Sequence, residues 1–226
     1  VSTDNTDLIM QVNNNGRLYM VYLGDKLLNA SDADRLDWTI DTGSDASVSK
    51  RGHEAYMCSG GEDFFEPALG LTHADGNKTT YLYYKDSQTK AVDGGNETVI
   101  TLADNKYDVE VRLHYVAYTK QNVIKAWSEI TNKEKGDISL WKYASAILYF
   151  SSQKYFLTNY HGDWAREAQP AVQQLTYGKK VIDTKLGTRA AMHTQTFFEL
   201  GLDAPAAENS GRVMLGTIAW TGNFRC

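Results

Sequence analysis

The sequence predicts an all-β fold, a large antiparallel sandwich, and three observations carry that expectation. Apolar and polar residues alternate along most of the chain at the two-residue period of half-buried strands. Gly, Asn and Asp collect in the short intervals between the alternating segments, where turns require them. The 226 residues include 14 Tyr, 5 Trp and 7 Phe but only 3 Pro, a composition rich in strand formers and poor in strand breakers. No repeat of fixed length is visible, which argues against a propeller or a solenoid.

The elements follow in order. Leu8–Val12 and Arg17–Leu23 are apolar runs joined by Asn13-Asn-Asn-Gly16, and Asn-Gly tolerates the positive φ of a hairpin turn. Residues 24–64 lose periodicity, and an irregular stretch of that length is expected to be functional or mobile. Strands are expected over 66–73 and 79–84, the latter followed by a polar turn ending at Asp93-Gly-Gly-Asn96. Residues 97–102 and 108–118 alternate cleanly. Val109, Val111 and Leu113 share one face with Glu110, Arg112 and His114 on the other, so His114 reads as a strand-face residue rather than a ligand. Residues 122–132 form another strand before the charged turn 133–137. Residues 138–150 suit a strand or a helix, and Trp141, Tyr143, Tyr149 and Phe150 favour strand. Further strands are expected after Tyr155, near 172–176 and 179–185, and over 211–220, with a small polar segment at 187–194 ending beside His193.

Several function classes fall away. A net charge of −5 with both signs intermixed offers no basic stripe to a nucleic acid. No apolar run approaches the roughly 18 residues of a membrane span. The two cysteines, Cys58 and Cys226, have no metal-ligand spacing and build no disulfide framework. Asp75-Gly-Asn77 resembles a fragment of a calcium loop, but too few carboxylates follow at alternating spacing, so neither a metal nor a cofactor is expected. Trp38-Thr-Ile-Asp41-Thr-Gly-Ser44 has the form of an aspartic-protease signature. That chemistry needs two aspartates sharing a proton, and no second such motif occurs. The chain opens at Val1 without a Met or a signal-peptide pattern. It closes at Cys226 in a strand or the turn leaving one, so a domain cut from a longer protein is expected.

The most informative stretch is Tyr155-Phe-Leu-Thr-Asn-Tyr-His-Gly-Asp-Trp-Ala-Arg-Glu167. A strand breaks at Gly162 and delivers His161, Asp163, Trp164, Arg166 and Glu167 within one short loop. An indole face can pack on the apolar face of a pyranose while neighbouring charged groups bind its hydroxyls. The alternative is that Trp164 fills a sandwich corner, with Arg166 and Glu167 as a surface ion pair.

Glu66-Pro-Ala-Leu, Thr72-His-Ala-Asp-Gly-Asn77, Glu97-Thr-Val-Ile-Thr-Leu102, Glu129-Ile-Thr-Asn132, Tyr155-Phe-Leu-Thr158, His161-Gly-Asp-Trp-Ala-Arg-Glu167, Glu208-Asn-Ser-Gly211 and Ala219-Trp-Thr-Gly-Asn-Phe224 occur in this order. Together they resemble the N-terminal domain of glycoside hydrolase family 36, the bacterial and fungal α-galactosidases, from about residue 7 to the end. The resemblance implies a galactose-mutarotase-like β-supersandwich spanning 1–226 as a single N-terminal domain. A (β/α)8 catalytic barrel and a small C-terminal β domain would lie outside this chain. Retaining hydrolysis of terminal α-galactosides needs a carboxylate nucleophile and a carboxylic acid/base, and both belong to the barrel, so this chain alone is expected to be non-catalytic. Its implied partners are α-galactosides, its own barrel and neighbouring subunits of a homo-oligomer.

By motif, the rim of the sugar pocket would include Trp164, His161, Arg166 and Glu167. The family run Tyr-Pro-x-Tyr-Gly-x-x-Asp-Phe-Arg-x-Pro-Ala reads here Tyr56-Met-Cys-Ser-Gly-Gly-Glu-Asp-Phe-Phe-Glu-Pro-Ala68, which adds Tyr56 and Asp63 to the rim. Ser59 and Phe65 replace a Tyr and an Arg of that run, so a charged contact is missing. A free-standing carbohydrate-binding module using Trp164 is the alternative function. A periplasmic or secreted bacterial location is favoured over a cytoplasmic one.

Overall fold

The computed structural model describes residues 1–36, 53–60, 66–190 and 192–226. Within them the chain is almost wholly antiparallel β-structure, in two compact units, Val1–Phe150 and Ser151–Cys226. The all-β expectation holds.

In the first unit β1 (Thr6–Val12) and β2 (Leu18–Asp25) form the expected hairpin. Gly16 takes φ 77°, and its N–H closes the turn on the Asn13 carbonyl at 2.7 Å. β3 (Leu69–Thr72) pairs with β8 (Ser139–Tyr143). Between them in sequence lies a four-stranded meander, β4 (Leu82–Val92), β5 (Gly95–Asp104), β6 (Val109–Tyr118) and β7 (Val123–Asn132), hydrogen-bonded in that order.

The predicted face of β6 is the core face, with Val109, Val111 and Leu113 all fully buried. They pack with Leu8, Leu18, Met20, Tyr56, Leu69, Leu71, Leu82, Ile100 and Leu102. Each such side chain stabilises the fold by about 1.5–3 kcal/mol relative to exposure. One ion pair lies among them: Arg17 donates to Glu54 at 2.6 Å, with both side chains about 90% buried.

Two expectations need correction. The polar stretch after Tyr84 is no turn, because β4 runs on to Val92 and the turn is only Asp93-Gly94. Residues 85–91 are exposed on both faces, and their strand is held by backbone pairing with β5 rather than by burial. Conversely, the strand expected over 138–150 stops at Tyr143. Beyond it, long-range partners take over. The Ala144 carbonyl accepts from the Tyr56 and Ser128 hydroxyls, and the Tyr149 hydroxyl donates to the Glu54 carbonyl.

Within the stretch expected to be irregular, β2 extends to Asp25 and a 3-10 turn covers Ala30–Arg35. The Asp41-Thr-Gly-Ser44 motif lies outside the described residues.

In the second unit β9 (Tyr155–His161), β10 (Gln169–Gln174), β12 (Thr194–Ala207) and β13 (Ser210–Thr217) make one sheet in the order β10-β9-β12-β13. β11 (Asp183–Thr184) pairs with β14 (Phe224–Arg225). The strand expected over 179–185 is therefore only two residues long. The 14-residue β12 was hidden in sequence by Asp203-Ala-Pro-Ala-Ala207, which lacks alternation. There the pairing register with β13 shifts, and Asp203 takes φ 70°. Leu157, Ile182, Ala190 and Phe224 are the buried apolar cluster.

Candidate functional site

The β9–β10 loop is a closed knuckle. At its neck His161 ends β9, opposite Gln169 of β10 on one side and Thr194 of β12 on the other. Gly162 is gripped twice by His193. The Gly162 N–H donates to the His193 carbonyl at 3.1 Å, and His193 Nδ1 donates back to the Gly162 carbonyl at 3.2 Å. The fit is close, since a Cβ would stand 3.2 Å from the Glu167 Cα and 3.3 Å from the Arg166 carbonyl oxygen, so a larger residue would push the loop by a few tenths of an ångström.

Inside the loop the Asp163 and Arg166 backbones exchange hydrogen bonds at 2.9 and 3.2 Å. Asp163 Oδ1 accepts the Trp164 N–H at 2.7 Å, and Glu167 Oε1 accepts the Ala165 N–H at 3.2 Å. Ala165 and Ala168 take φ 59° and 53°, a left-handed conformation costing an L-residue roughly 1 kcal/mol. The local hydrogen bonds offset that strain and leave a preformed turn.

The consequence is a pinned backbone presenting an unpinned indole, with Trp164 86% exposed. The core-corner reading of Trp164 does not hold. Nor does the surface-pair reading, since Arg166 and Glu167 form no ion pair with each other and the carboxylate is spent on the loop backbone. The exposed Arg166 guanidinium has no partner among the described residues. His161 is exposed, and its Nε2 accepts the amide of buried Asn159 at 2.8 Å, which places its own proton on Nδ1. His161, Trp164, Arg166 and Glu167 therefore share one knuckle, with two ring systems, a cation and hydrogen-bonding edges free to meet a polyhydroxylated ligand.

Of the other two sequence candidates, Tyr56 lies in the first unit. Tyr56 serves its core. It is 2% exposed, its hydroxyl donates to the Ala144 carbonyl at 2.7 Å, and burial pushes the phenol up from its ordinary value. It has no surface to offer a sugar in this structure. Asp63 lies outside the described residues.

His193 and Asn159 were missed by motif reading. His193 lies in a small polar segment just before Phe197-Phe198, and Asn159 sits inside an alternating strand. Only the fold reveals that they clamp the loop and set its histidine tautomer.

A second polar constellation has the look of a catalytic relay. His73 Nδ1 lies 2.7 Å from Glu134, and His73 Nε2 lies 3.0 Å from Thr80 Oγ1. Thr80 is 1% exposed and His73 is stacked on Tyr107, so the arrangement ties the Ala74–Asn77 turn to the turn after β7 without reaching solvent. Among the described residues no group of three or more His, Cys, Asp or Glu is arranged to hold a metal ion, and no helix is long and apolar enough to cross a membrane.

Comparison with known proteins gives a consistent result. A family model described as the glycosyl hydrolase family 36 N-terminal domain matches residues 16–226. Alpha-galactosidase AgaA of Geobacillus stearothermophilus is 27% identical over 241 residues, covering 96% of this chain and 32% of that protein. Alpha-galactosidase 2 of Hypocrea jecorina is 26% identical over 176 residues, covering 72% of this chain and 23% of that protein. The chain thus spans about a quarter to a third of the length of these relatives. Among solved structures, the AgaA variant in complex with raffinose superposes with a TM-score of 0.86 at 23% identity, covering all of this chain and 34% of that one. The galactosidase domain of the alpha-galactosidase–sucrose kinase AgaSK gives a TM-score of 0.84, again at 23% identity, with 100% and 34% covered. The β-sandwich fold is shared.

Proposed function

This chain belongs to the glycosyl hydrolase family 36 N-terminal domains, and from that premise we propose that it is the non-catalytic β-domain of an α-galactosidase. In this reading the complete enzyme removes terminal α-galactosyl groups with retention. The nucleophile and the acid/base are carboxylates of a separate catalytic barrel, close enough together for a covalent glycosyl-enzyme. The present domain contributes a rim to the sugar pocket and contacts to neighbouring subunits of a homo-oligomer.

The observation that carries the reading is the Trp164 knuckle. A strained, hydrogen-bonded backbone holds an 86% exposed indole beside a free guanidinium and an exposed imidazole. A site built this way loses little conformational entropy on binding, since the loop is ordered before the ligand arrives. His161, Trp164, Arg166 and Glu167 form the proposed rim. Glu167 acts by shaping the turn as much as by contact. Asp63 remains a rim candidate on motif alone, and Tyr56 is assigned to the core.

The test is turnover of an aryl α-galactoside by the chain alone and by the complete gene product. Activity confined to the complete product is expected, with Trp164→Ala there raising KM severalfold. Turnover by the chain alone would overturn the non-catalytic assignment, and an unchanged KM in the variant would remove Trp164 from the rim. If neither protein turns over, the assigned reaction is wrong. Glycan binding by the chain at Trp164 would then favour the free-standing module.

A further inference from the structure

A second aromatic surface is built in the first unit, on strand β8. The pairing of β3 with β8 is irregular between Gly70 and Leu71, which face Lys142 and Leu140, so Trp141 is the extra residue of a bulge. Three neighbouring atoms of its six-membered ring, Cη2, Cζ3 and Cζ2, lie 2.3, 2.4 and 2.6 Å from where a Cβ on Gly70 would stand. Near-equal distances mean that the ring lays its face on the glycine. Covering a strand glycine explains one side of the indole. It leaves the other side open, and Trp141 is 50% exposed.

Two residues on, Tyr143 is 71% exposed. Among the described residues neither the Trp141 indole N–H nor the Tyr143 hydroxyl has a hydrogen-bond partner. Lys142, between them, forms an ion pair with Glu66 across the strand pair.

We propose that Trp141 and the Lys142–Glu66 pair form a surface site for a pyranose ring of a galactose-containing oligosaccharide, distinct from the Trp164 knuckle. The ligand class rests on the function proposed above, whereas the site rests on its own geometry. A ring seated on glycine is a rigid plate for the C–H face of a sugar, and immobilising it at the moment of binding costs little. The ammonium donates and the carboxylate accepts, which is the pair of functions that vicinal hydroxyls require.

The experiment is isothermal titration of the 226-residue chain with raffinose, with circular dichroism confirming that each variant is folded. Weak, millimolar-range binding is expected, as for a single stacked plate. Trp141→Ala should weaken it about fivefold, in line with the ring-stacking contribution. Trp141→Phe keeps a ring on Gly70 and should weaken it less. Gly70→Ala, which drives the indole off its seat, should weaken it as much as Trp141→Ala. Trp141→Ala is read by raffinose binding to the chain and Trp164→Ala by KM in the complete gene product, so loss of the knuckle reading and loss of this one are separable. Absence of raffinose binding, or equal binding by Trp141→Ala, overturns the proposal. So does a Trp141→Ala variant that keeps sugar affinity but loses subunit assembly in the complete gene product, which would make this face a protein interface.

Discussion

The two units hold themselves together differently. In Val1–Phe150 the strands close on a continuous core that runs from Leu8 to Tyr115, and even the Arg17–Glu54 pair is inside it. In Ser151–Cys226 the buried apolar cluster is Leu157, Ile182, Ala190 and Phe224, while Trp164, Val172, Leu215 and Trp220 stand in the open. Side chains tie loops in both units, as Asp104 accepts the Lys106 and Tyr107 N–H groups in the first, but in the second they act beside a thin core. Asp203 accepts from the Ser152 hydroxyl at 2.6 Å and from the Gln153 N–H at 3.1 Å, and Asn223 accepts from the Gly187 N–H at 2.7 Å. The His193 grip on Gly162 is the same device. A core fixes strands and is indifferent to what loops present. Local hydrogen bonding fixes the loops themselves, which is what a recognition knuckle needs.

The largest test of this contrast is a matched pair of core truncations. Leu69→Ala, at a fully buried position of the first unit, should cost about 3–5 kcal/mol in urea unfolding. Leu157→Ala, at the edge of a thinner cluster that can collapse, should cost about 2 kcal/mol. Equal losses would erase the distinction.

Next in size is Glu54→Gln, which strands the Arg17 cation in the core and should cost about 3 kcal/mol. Arg212→Met, which breaks the exposed Arg212–Asp203 pair of the second unit, should cost less than about 1 kcal/mol. A smaller effect, about 1 kcal/mol or more, is expected of Ala165→Val, because a β-branched residue resists the positive φ at that position. If the variant melts like its parent, the knuckle is not strained.

Acid should discriminate more gently. Glu97 is held below the usual carboxylate range by Lys90 and then His114, and Glu110 by Lys133. In the second unit Asp203 is held down first by the Ser152 hydroxyl, then by the Gln153 N–H and Arg212. Each group's lowered folded value stabilises the native state above the ordinary carboxylate range, about pH 4, and that stability is lost as pH falls through the folded value. Asp7 and Asp75 add to the first unit's share. An acid titration followed by fluorescence should therefore report Trp127 of β7 before Trp164 and Trp220, and the reverse order would contradict the assignment. Smallest of all, Trp164→Ala should move unfolding by no more than about 0.5 kcal/mol, since its exposed ring touches little.

The same contrast explains what was readable in advance. β6 was legible because Val109, Val111 and Leu113 bury one face and the alternation records it. The far half of β4 was not, because a strand exposed on both faces carries no period, and only pairing with β5 holds it. Tyr56 matched a motif run at the sugar rim yet is a core residue, since motif identity says nothing about which side chain the fold turns inward. Trp164 was found as a loop residue, but its exposure and the ordering of its loop depend on His193, 29 residues downstream by number, across the β9–β12 pairing.

By itself the sequence determined the all-β class, the hairpins with glycine or asparagine at their turns, the buried face of β6 and the family to which the chain belongs. Those properties are local or spread evenly along the chain: a two-residue period, a positive φ, an ordered series of short phrases. Tertiary structure alone decided the length of β12, the end of β8 at Tyr143, the burial of Tyr56, the grip of His193 on Gly162 and the seat of Trp141 on Gly70. Each of those depends on a backbone or side-chain partner far away in sequence, and hydrogen bonds and close contacts of that kind leave no period to read.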